Sequence, residues 1–317
     1  VDICVPQVQF ARQKQQRALS MLLSKSLRLT LKREIRMHSA IILVNKPRGL
    51  SSNTVVNIVK KAVGAKKAGH LGTLDVEGEG LLPVTLERAT KLFDLYLQKD
   101  KVYKTTFRFG ETTDTLDLEG TVTAKNDKIV SRQEVEGVLP ELMGKINQMP
   151  PAYSAKKIKG RKAYDLAREG KDVQLKPKLV EIYSIKLLSH KKQNEFEFEV
   201  HCSSGTYIRS LCRDMAEKLS TYGVMLNIIR TKCGDFDLKD AYTLEEIKAG
   251  KYKEIAMEEL FDFEKKVLTQ EEKDKLLSAG AVKMDLLGKF NAFYDGQFLG
   301  VIEGDGKTVK FLHRFVL

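Results

Sequence analysis

The residues best suited to chemistry are a carboxylate and an imidazole that share one glycine-rich loop. The chain reads Gly69-His70-Leu71-Gly72-Thr73-Leu74-Asp75 and reaches Gly80 through a short acidic stretch. An aspartate in such a loop is ionised at neutral pH and can act as a nucleophile or a base. Its small neighbours leave room for a bulky partner. The loop therefore indicates a site at which Asp75 meets a large, polymeric substrate.

Regular elements flank this loop and must position it. Ile41 to Asn45 predicts a short apolar strand, and Ser52 or Asn53 is expected to cap the helix that follows. Alternation over Val102 to Phe109 predicts a second strand, with Tyr103 on its aromatic side. We expect both strands to border the site.

The second half of the chain continues the mixture of strands and helices. Glu195 to Cys202 alternates as a strand, and a turn at Ser203-Ser204-Gly205 leads into a helix that carries Arg209. Further helices are predicted to begin at the capping boxes of Ser131, Thr243 and Thr269. Without a regular βαβ rhythm, this pattern predicts an α+β fold with a mixed or antiparallel central sheet flanked by helices.

After about residue 256 the pattern becomes that of a small β-rich module. Thr269 to Ala279 predicts one short helix, Asn291 to Glu303 a hairpin that turns at Asp295-Gly296, and Val309 to Val316 a last strand. We therefore predict a larger domain over residues 37–256 and a compact module over residues 257–317.

Charge is spread unevenly along the chain. The 317 residues carry a net charge of +12, and residues 1–36 hold eight Lys or Arg against Asp2 and Glu34. This basic segment begins with Val1 and superficially suits an organellar transit peptide. An extension foreign to the native protein, or a loosely attached helix, fits equally because the folded pattern starts beside Met37. The rest is mildly basic, which permits a polyanionic partner without requiring one.

Several classes of protein find no support in the sequence. No apolar run approaches the roughly 18 residues of a membrane-spanning helix. The cysteines Cys4, Cys202, Cys212 and Cys233 form no metal-binding spacing, so we expect structural thiols in a reducing compartment and no metal site. Gly306-Lys307-Thr308 imitates the end of a phosphate-binding loop, but Val301 occupies the position of its first glycine.

Six segments between about Ile41 and Phe236 match one family in the family's own order. They are Lys46-Pro47, the Gly69–Asp75 loop with Gly80 and Leu82-Pro83, Ala89-Thr90-Lys91-Leu92, Lys101-Val102-Tyr103, Gln148-Met149-Pro150-Pro151-Ala152-Tyr153-Ser154-Ala155-Lys156, and Gly205-Thr206-Tyr207-Ile208-Arg209. Together they resemble the TruB family of tRNA pseudouridine synthases.

The resemblance implies a fold, a reaction and a partner. The fold would be the pseudouridine synthase fold, with a PUA-like RNA-binding module at the C-terminus. The reaction would isomerise uridine to pseudouridine without a cofactor or metal, at uridine 55 in the T-arm stem-loop of tRNA, on a base flipped out of its stack. The family default is a cytoplasmic enzyme, and we expect a monomer.

The resemblance also suggests three catalytic residues. Asp75 matches the reacting aspartate, and Arg209 matches the arginine that pairs with it and holds its geometry. Tyr103 matches the tyrosine that stacks on the uracil. Judged by local pattern alone, Tyr103 could instead be a core aromatic and Arg209 a surface ion pair.

Four further residues are substrate-binding candidates by the same resemblance. His70 matches the histidine that takes the place of the extruded base, and Tyr207 lies in the matching position of the later motif. Ile228 falls where the family has a leucine lining the uracil pocket. Lys46 is expected to support the fold or a phosphate.

The chain also departs from the family pattern beside the site. Val76-Glu77-Gly78-Glu79-Gly80 stands where the family usually has Pro-Leu-Ala-Thr-Gly, Leu71 replaces a small or hydroxyl residue, and Ile229 replaces an arginine. The added carboxylates would repel phosphates. Two alternatives follow: an RNA-binding or RNA-folding protein that has lost catalysis, and a guide-dependent relative that works within a protein complex.

Overall fold

A computed structural model describes residues 39–151, 157–158, 161–162 and 175–316. The predictions for residues 1–36, including Cys4, lie outside these ranges, as does the segment Ala152–Lys156 of the family resemblance.

The first part of the described chain contains fourteen strands and five α-helices. In chain order the strands are β1 (Ala40–Lys46), β2 (Ala68–His70), β3 (Glu79–Leu86), β4 (Lys101–Phe109), β5 (Glu111–Thr113), β6 (Val122–Lys125), β7 (Gly144–Gln148), β8 (Lys157–Ile158), β9 (Arg161–Lys162), β10 (Lys178–Lys192), β11 (Glu195–Cys202), β12 (Gly223–Cys233), β13 (Phe236–Asp237) and β14 (Ile255–Ala256). The helices are α1 (Ser52–Val63), α2 (Phe93–Leu97), α3 (Arg132–Val138), α4 (Ile208–Lys218) and α5 (Leu244–Lys248).

Ten of these strands form one mixed sheet. Its order is β14-β1-β3-β12-β4-β11-β10-β7, with β2 beside β3 and β13 beside β12. β3 and β12 run parallel, whereas the other neighbours are antiparallel. The predicted α+β fold around a mixed sheet is confirmed. β11 illustrates the alternation that predicts a strand. The residues on its inward face are all buried, namely Phe196, Phe198, Val200 and Cys202.

Helices cover the sheet through two apolar clusters. The buried stripe of α4 packs with the inward residues of β4 and β11, among them Phe107 and Phe198. Val55, Val56 and Val59 of α1 pack with β1, β3 and α5 in the second cluster. Tyr103 contacts both clusters, so it lies at the seam between them. Leu74, which directly precedes Asp75, is buried in the second of these clusters.

The start of α1 differs from the prediction. Its N-cap is Ser51, whose Oγ accepts the backbone N–H of Thr54 at 3.0 Å, so the expected cap at Ser52 or Asn53 is wrong. Ser52 is already helical, and its buried hydroxyl bonds the backbone of Leu74 instead. The predicted capping boxes at Ser131, Thr243 and Thr269 are all confirmed.

The C-terminal module is a five-stranded sheet with one helix. Its elements are β15 (Glu264–Val267), α6 (Gln270–Ala279), β16 (Ala281–Lys283), β17 (Leu287–Tyr294), β18 (Gln297–Asp305) and β19 (Thr308–Arg314), in sheet order β15-β17-β18-β19-β16. The predicted turn at Asp295-Gly296 is confirmed, with φ of 48° and 70°. Residues 306–308 form a turn into β19 instead of a phosphate-binding loop, and Asp305 accepts the N–H groups of Lys307 and Thr308.

A third cluster joins the two sheets. Met257 and Phe315 are buried in it together with Ile41, Leu81 and other residues of the main sheet. Lys91 also donates a hydrogen bond to the carbonyl of Val316 at 3.3 Å. The division near residue 256 stays a prediction, because apolar packing crosses it.

Two sequence expectations concern the described residues as a whole. Cys202, Cys212 and Cys233 are free and buried, as expected of structural thiols. Among the residues described, none of the helices is both long and apolar enough to cross a membrane.

Candidate active site

Two buried leucines fix the Asp75 loop against the core, while the carboxylate that follows them stays exposed. Leu71 is buried in the cluster that joins the two sheets, and Leu74 is buried in the cluster beneath α1. Asp75 follows them with 54% of its side chain exposed. Leu71, one of the departures from the family pattern, therefore adds core packing to the loop and leaves the carboxylate free to meet a substrate.

Buried polar groups fix the backbone of the same loop. The Ser52 hydroxyl donates to the carbonyl of Leu74 at 2.8 Å and accepts its N–H at 2.9 Å. Arg230 is fully buried and donates to the carbonyl oxygens of Gly72 at 3.0 Å and Leu81 at 2.8 Å. These directional bonds come from α1 and β12, so two distant segments of the sequence hold one loop.

Lys46 anchors the other side of the loop. Its side chain is fully buried, and its ammonium donates to the carbonyl oxygens of Pro47, Val76 and Gly78. Burial lowers the pKa of Lys46 to about 8, against the raising effect of nearby carboxylates, Asp75 first. The ammonium of Lys46 is thus directed to protein carbonyls, and its predicted role, support of the fold or of a phosphate, stays a prediction.

Asp75, Arg209 and Asp117 form a row in which the arginine pairs with both carboxylates. Its Nη2 lies 3.1 Å from Oδ2 of Asp75, and its Nη1 lies 3.1 Å from Oδ2 of Asp117 and 3.0 Å from the carbonyl oxygen of Thr115. Only 9% of the arginine side chain is exposed. In turn, Asp117 accepts from the Thr115 hydroxyl at 2.6 Å and the Glu119 N–H at 3.1 Å. Asp117 and the Thr115 carbonyl therefore hold the guanidinium in place independently of Asp75.

A cavity of about 620 Å³ opens beside Asp75. Its wall includes four other predicted residues: Tyr103, Tyr207, Ile228 and Arg209. Burial raises the pKa of Tyr103 well above its usual range, which keeps the phenol neutral. The cavity therefore combines a carboxylate with aromatic and apolar surface, the combination that an unstacked base requires.

Tyr207 owes its position to a residue without a predicted role. The side-chain amide of Gln148, which is buried, donates to the Tyr207 carbonyl at 3.1 Å and accepts its N–H at 2.8 Å. The next carbonyl, Met149, accepts the hydroxyl of Ser210 at 2.8 Å. The segment at Gln148 and Met149 thus braces the start of α4, which carries Arg209.

Sequence reasoning missed Asp117, Gln148, Arg230 and Ser52 as parts of the site. Gln148 stands in one of the segments that carry the family resemblance, and Arg230 directly follows Ile228 and Ile229, but the resemblance gave neither residue a role. Asp117 had no local signal, because its meaning depends on an arginine 92 positions later in the chain.

His70 stands apart from the cavity. It lies at the end of β2 opposite Val84, half-buried, and is absent from the residues that line the cavity. Its Nδ1 is buried without a hydrogen-bond partner among the described residues. Burial, with a smaller contribution from Arg230, lowers the pKa of His70, so its ring is neutral at neutral pH. Its predicted contact with RNA stays a prediction.

A second, smaller cavity lies on the other side of Asp75. Its wall includes the departures from the family pattern at Glu77 and Gly78, together with Arg48 and Glu119. Arg48 forms a salt bridge with Glu77, which offsets one added carboxylate. Burial and the neighbouring carboxylates raise the pKa of Glu119. Within the described ranges, no group of three or more His, Cys, Asp or Glu side chains is arranged to hold a metal ion.

Comparison with known proteins places this geometry in a family. The model of the TruB family pseudouridylate synthase N-terminal domain matches residues 60–208, and the model of the tRNA pseudouridylate synthase B C-terminal domain matches residues 209–275. A tRNA pseudouridine synthase B of Caldanaerobacter subterraneus subsp. tengcongensis is 36% identical over 275 residues, which cover 85% of this chain and 96% of that protein. The chain belongs to the TruB family.

Other TruB relatives and solved structures agree with this assignment. The tRNA pseudouridine synthase B of Brucella ovis is 42% identical over 218 residues, covering 69% of this chain and 67% of that protein. A crystal structure of the archaeal box H/ACA sRNP Nop10-Cbf5 complex matches with a TM-score of 0.63 at 20% identity, over 89% of this chain and 88% of that chain. At that identity the likeness shows the fold alone. The family and fold predicted from the ordered segments are thus confirmed.

Proposed function

We propose that this protein isomerises a uridine of tRNA to pseudouridine, at uridine 55 of the T-arm, with Asp75 as the reacting carboxylate. The observation that carries the proposal is the half-exposed Asp75, held at 3.1 Å by a buried arginine at the edge of a cavity with an aromatic wall. The names of the TruB relatives support tRNA as the substrate.

The reaction needs no net change in composition. The bond from N1 of uracil to C1′ of the ribose breaks, the base turns until C5 faces C1′, and a C5–C1′ bond forms. C5 releases its proton to water, and N1 takes up one proton from water. Asp75 provides the charged oxygen that such a sequence requires. Its Oδ2 pairs with Arg209, and in this proposal Oδ1 is the oxygen that meets the nucleotide.

The cavity wall supports a flipped base. Tyr103 offers a neutral ring for stacking, Ile228 offers apolar surface, and Tyr207 is braced by Gln148. A stacked aromatic face restores roughly 1 to 3 kcal/mol of the stacking lost when a base leaves its helix. In this proposal His70 fills the space that the base vacates.

The same proposal covers the oligomeric state, the cellular location and the role of the C-terminal module. The described residues of one chain supply the whole row of Asp75, Arg209 and Asp117, which supports action as a monomer. The free, buried thiols suit a reducing cytoplasm. We infer that the module from residue 257 strengthens tRNA binding without taking part in the chemistry.

The decisive experiment is tritium release from tRNA labelled at C5 of uridine, with the purified chain alone. We expect the wild type to release tritium, and Asp75→Asn to lose at least about 10³-fold in rate while it still binds tRNA. Asp127→Asn, at an exposed aspartate away from the cavity, is the matched control and should keep full activity. Conversion that persists in Asp75→Asn would contradict the assignment.

The same assay separates the alternative functions. A wild-type chain that binds tRNA without releasing tritium would indicate an RNA-binding or RNA-folding protein. Activity that appears only after partner proteins and a guide RNA are added would indicate the guide-dependent class. Locating the product by primer extension after carbodiimide treatment tests uridine 55 itself.

A further inference from the structure

The two cavities beside Asp75 have walls of opposite charge. The larger one has four basic side chains in its wall, namely Lys101, Lys178, Arg209 and Arg230, and among the described residues Asp75 is its one acidic member. The smaller one carries one arginine against several carboxylates, namely Asp75, Glu77, Asp117 and Glu119. A polyanion that reaches Asp75 is repelled on the second side and attracted on the first.

On its basic side the larger cavity continues into an open groove. Lys178 and Ser204 line both spaces. The groove has a volume of about 410 Å³ and runs between the ends of β7 and β10, where Lys145 and Ser203 also contribute to its wall. Its single acidic side chain is Glu181, which lies opposite Lys145 on the neighbouring strand. The cavity beside Asp75 and the groove therefore adjoin each other at Lys178 and Ser204.

Lys178 stands at the junction of the cavity and the groove. Its ammonium lies against Gly205, where an added Cβ would come within 1.8 Å of Nζ. Gly205 has a φ of +79°, so both its backbone and its missing side chain suit this approach. Neither Lys178 nor Lys145 forms an ion pair with another described residue. Among the described residues, no carboxylate competes with an external anion for these two ammonium groups.

We propose that the RNA backbone leaves the active site through this groove, and that Lys178 binds the phosphate adjacent to the target nucleotide. Lys145 binds a phosphate further along the same strand. The inference rests on the proposed function, because it takes the nucleotide over Asp75 as its starting point. Ser203 and Ser204 line the path with small polar surface that a sugar–phosphate chain can pass.

The test is the salt dependence of tRNA binding. Each phosphate contact to a single strand contributes about 0.7 to the slope of log K against log [salt], or roughly 2.5-fold in affinity between about 50 and 200 mM KCl. We expect Lys178→Gln to lower the slope by that amount and Lys178→Arg to preserve it, because charge and not packing makes the contact. The matched control is Lys186→Gln, on the same strand and paired with Glu199 on the exposed face.

Two outcomes would overturn the inference. One concerns the salt slope. The slope could stay unchanged in Lys178→Gln, or it could fall equally in the control Lys186→Gln, and the latter result would mean that net charge and not a specific contact sets the slope. The other is a gain in affinity for Glu119→Gln larger than the loss for Lys178→Gln, which would direct the backbone past the acidic wall. Tritium release by the wild type is measured in parallel. Its absence would instead contradict the proposed function, so the two failures are distinguishable.

Discussion

The Asp75 loop and the C-terminal module are both attached to the main sheet, but by different kinds of interaction. Hydrogen bonds from Ser52, Lys46 and Arg230 hold the loop by its backbone atoms. Apolar side chains hold the module, since Met257 and Phe315 are buried in one cluster with Ile41 and Leu81 of the main sheet.

The difference follows from what each attachment must achieve. Hydrogen bonds depend on angle and therefore fix the direction of a loop, as a reacting carboxylate requires. Apolar packing depends mainly on area, so it can hold a module firmly with less control of individual atoms. We therefore expect changes in the loop to affect the rate, and changes at the module to affect the stability of the whole chain.

The largest expected effect is on stability, from Phe315→Ala. Phe315 is buried in the cluster shared with the main sheet, and truncating a buried phenylalanine costs about 3 to 5 kcal/mol. We expect one cooperative unfolding transition at a lower temperature by calorimetry, with the rate at low temperature nearly unchanged. Leu287→Ala is the control, since that side chain is 78% exposed.

Separate melting of the module in Phe315→Ala, with the main sheet at its wild-type temperature, would show that the shared cluster does not couple the two sheets. The same coupling makes deletion of residues 257–317 a poor test of tRNA binding, because deletion exposes Ile41 and Leu81.

The next effect is on the rate, from Arg209→Met. This change frees Asp75 and leaves the buried Asp117 without its cationic partner, and losing one member of a buried pair costs about 3 to 5 kcal/mol of stability. Loss of the preorganised charge is expected to reduce kcat by about 10²- to 10³-fold. Asp117→Asn should have a smaller effect on the rate, because the direct contact with Asp75 remains. Equal rates in Arg209→Met and the wild type would exclude a role for this row of charges.

Two adjacent serines separate loop geometry from helix capping. Ser52→Ala leaves the buried N–H and carbonyl of Leu74 without their partner and should cost about 1 to 3 kcal/mol, with a reduced kcat. Ser51→Ala removes the N-cap of α1 and should cost about 1 kcal/mol at an unchanged kcat. Melting temperature and single-turnover rate are compared in both. A similar fall in kcat for the two variants would mean that α1 as a whole, and not the Leu74 bonds, positions the loop.

The smallest effect is the pH dependence of Lys46. Because burial lowers its pKa to about 8, the folded protein releases this proton before the unfolded chain, in which a lysine stays charged until about pH 10.4. The unfolded chain then binds more protons, so this group adds stability as the pH rises through that window. The loop meanwhile loses one ammonium donor. We therefore expect kcat to decline modestly above about pH 8 with no loss of stability from this residue. A pH profile of Lys46→Met lacking this decline would support the assignment, and an identical decline would refute it.

Local patterns predicted most elements and a part of the site. Alternation located β4 and β11, and the Thr243 and Thr269 capping boxes located helix starts, because these signals depend on neighbouring residues. The cap of α1 was misplaced by one residue because Ser51 and Ser52 are chemically alike. What distinguishes them is Leu74, which only Ser52 can reach in the folded chain.

The sequence by itself determined the family, the fold class and the identity of the carboxylate loop, since ordered segments and short-range periodicity are properties of the chain. Only the tertiary structure decided that Asp117 stands behind Arg209, that Gln148 braces Tyr207, and that the basic groove begins at Lys178. Those pairings join residues between 27 positions apart, for Lys178 and Gly205, and 92 positions apart, for Asp117 and Arg209. Long-range hydrogen bonds and ion pairs leave no periodic trace, because the sheet and not the local sequence brings their partners together.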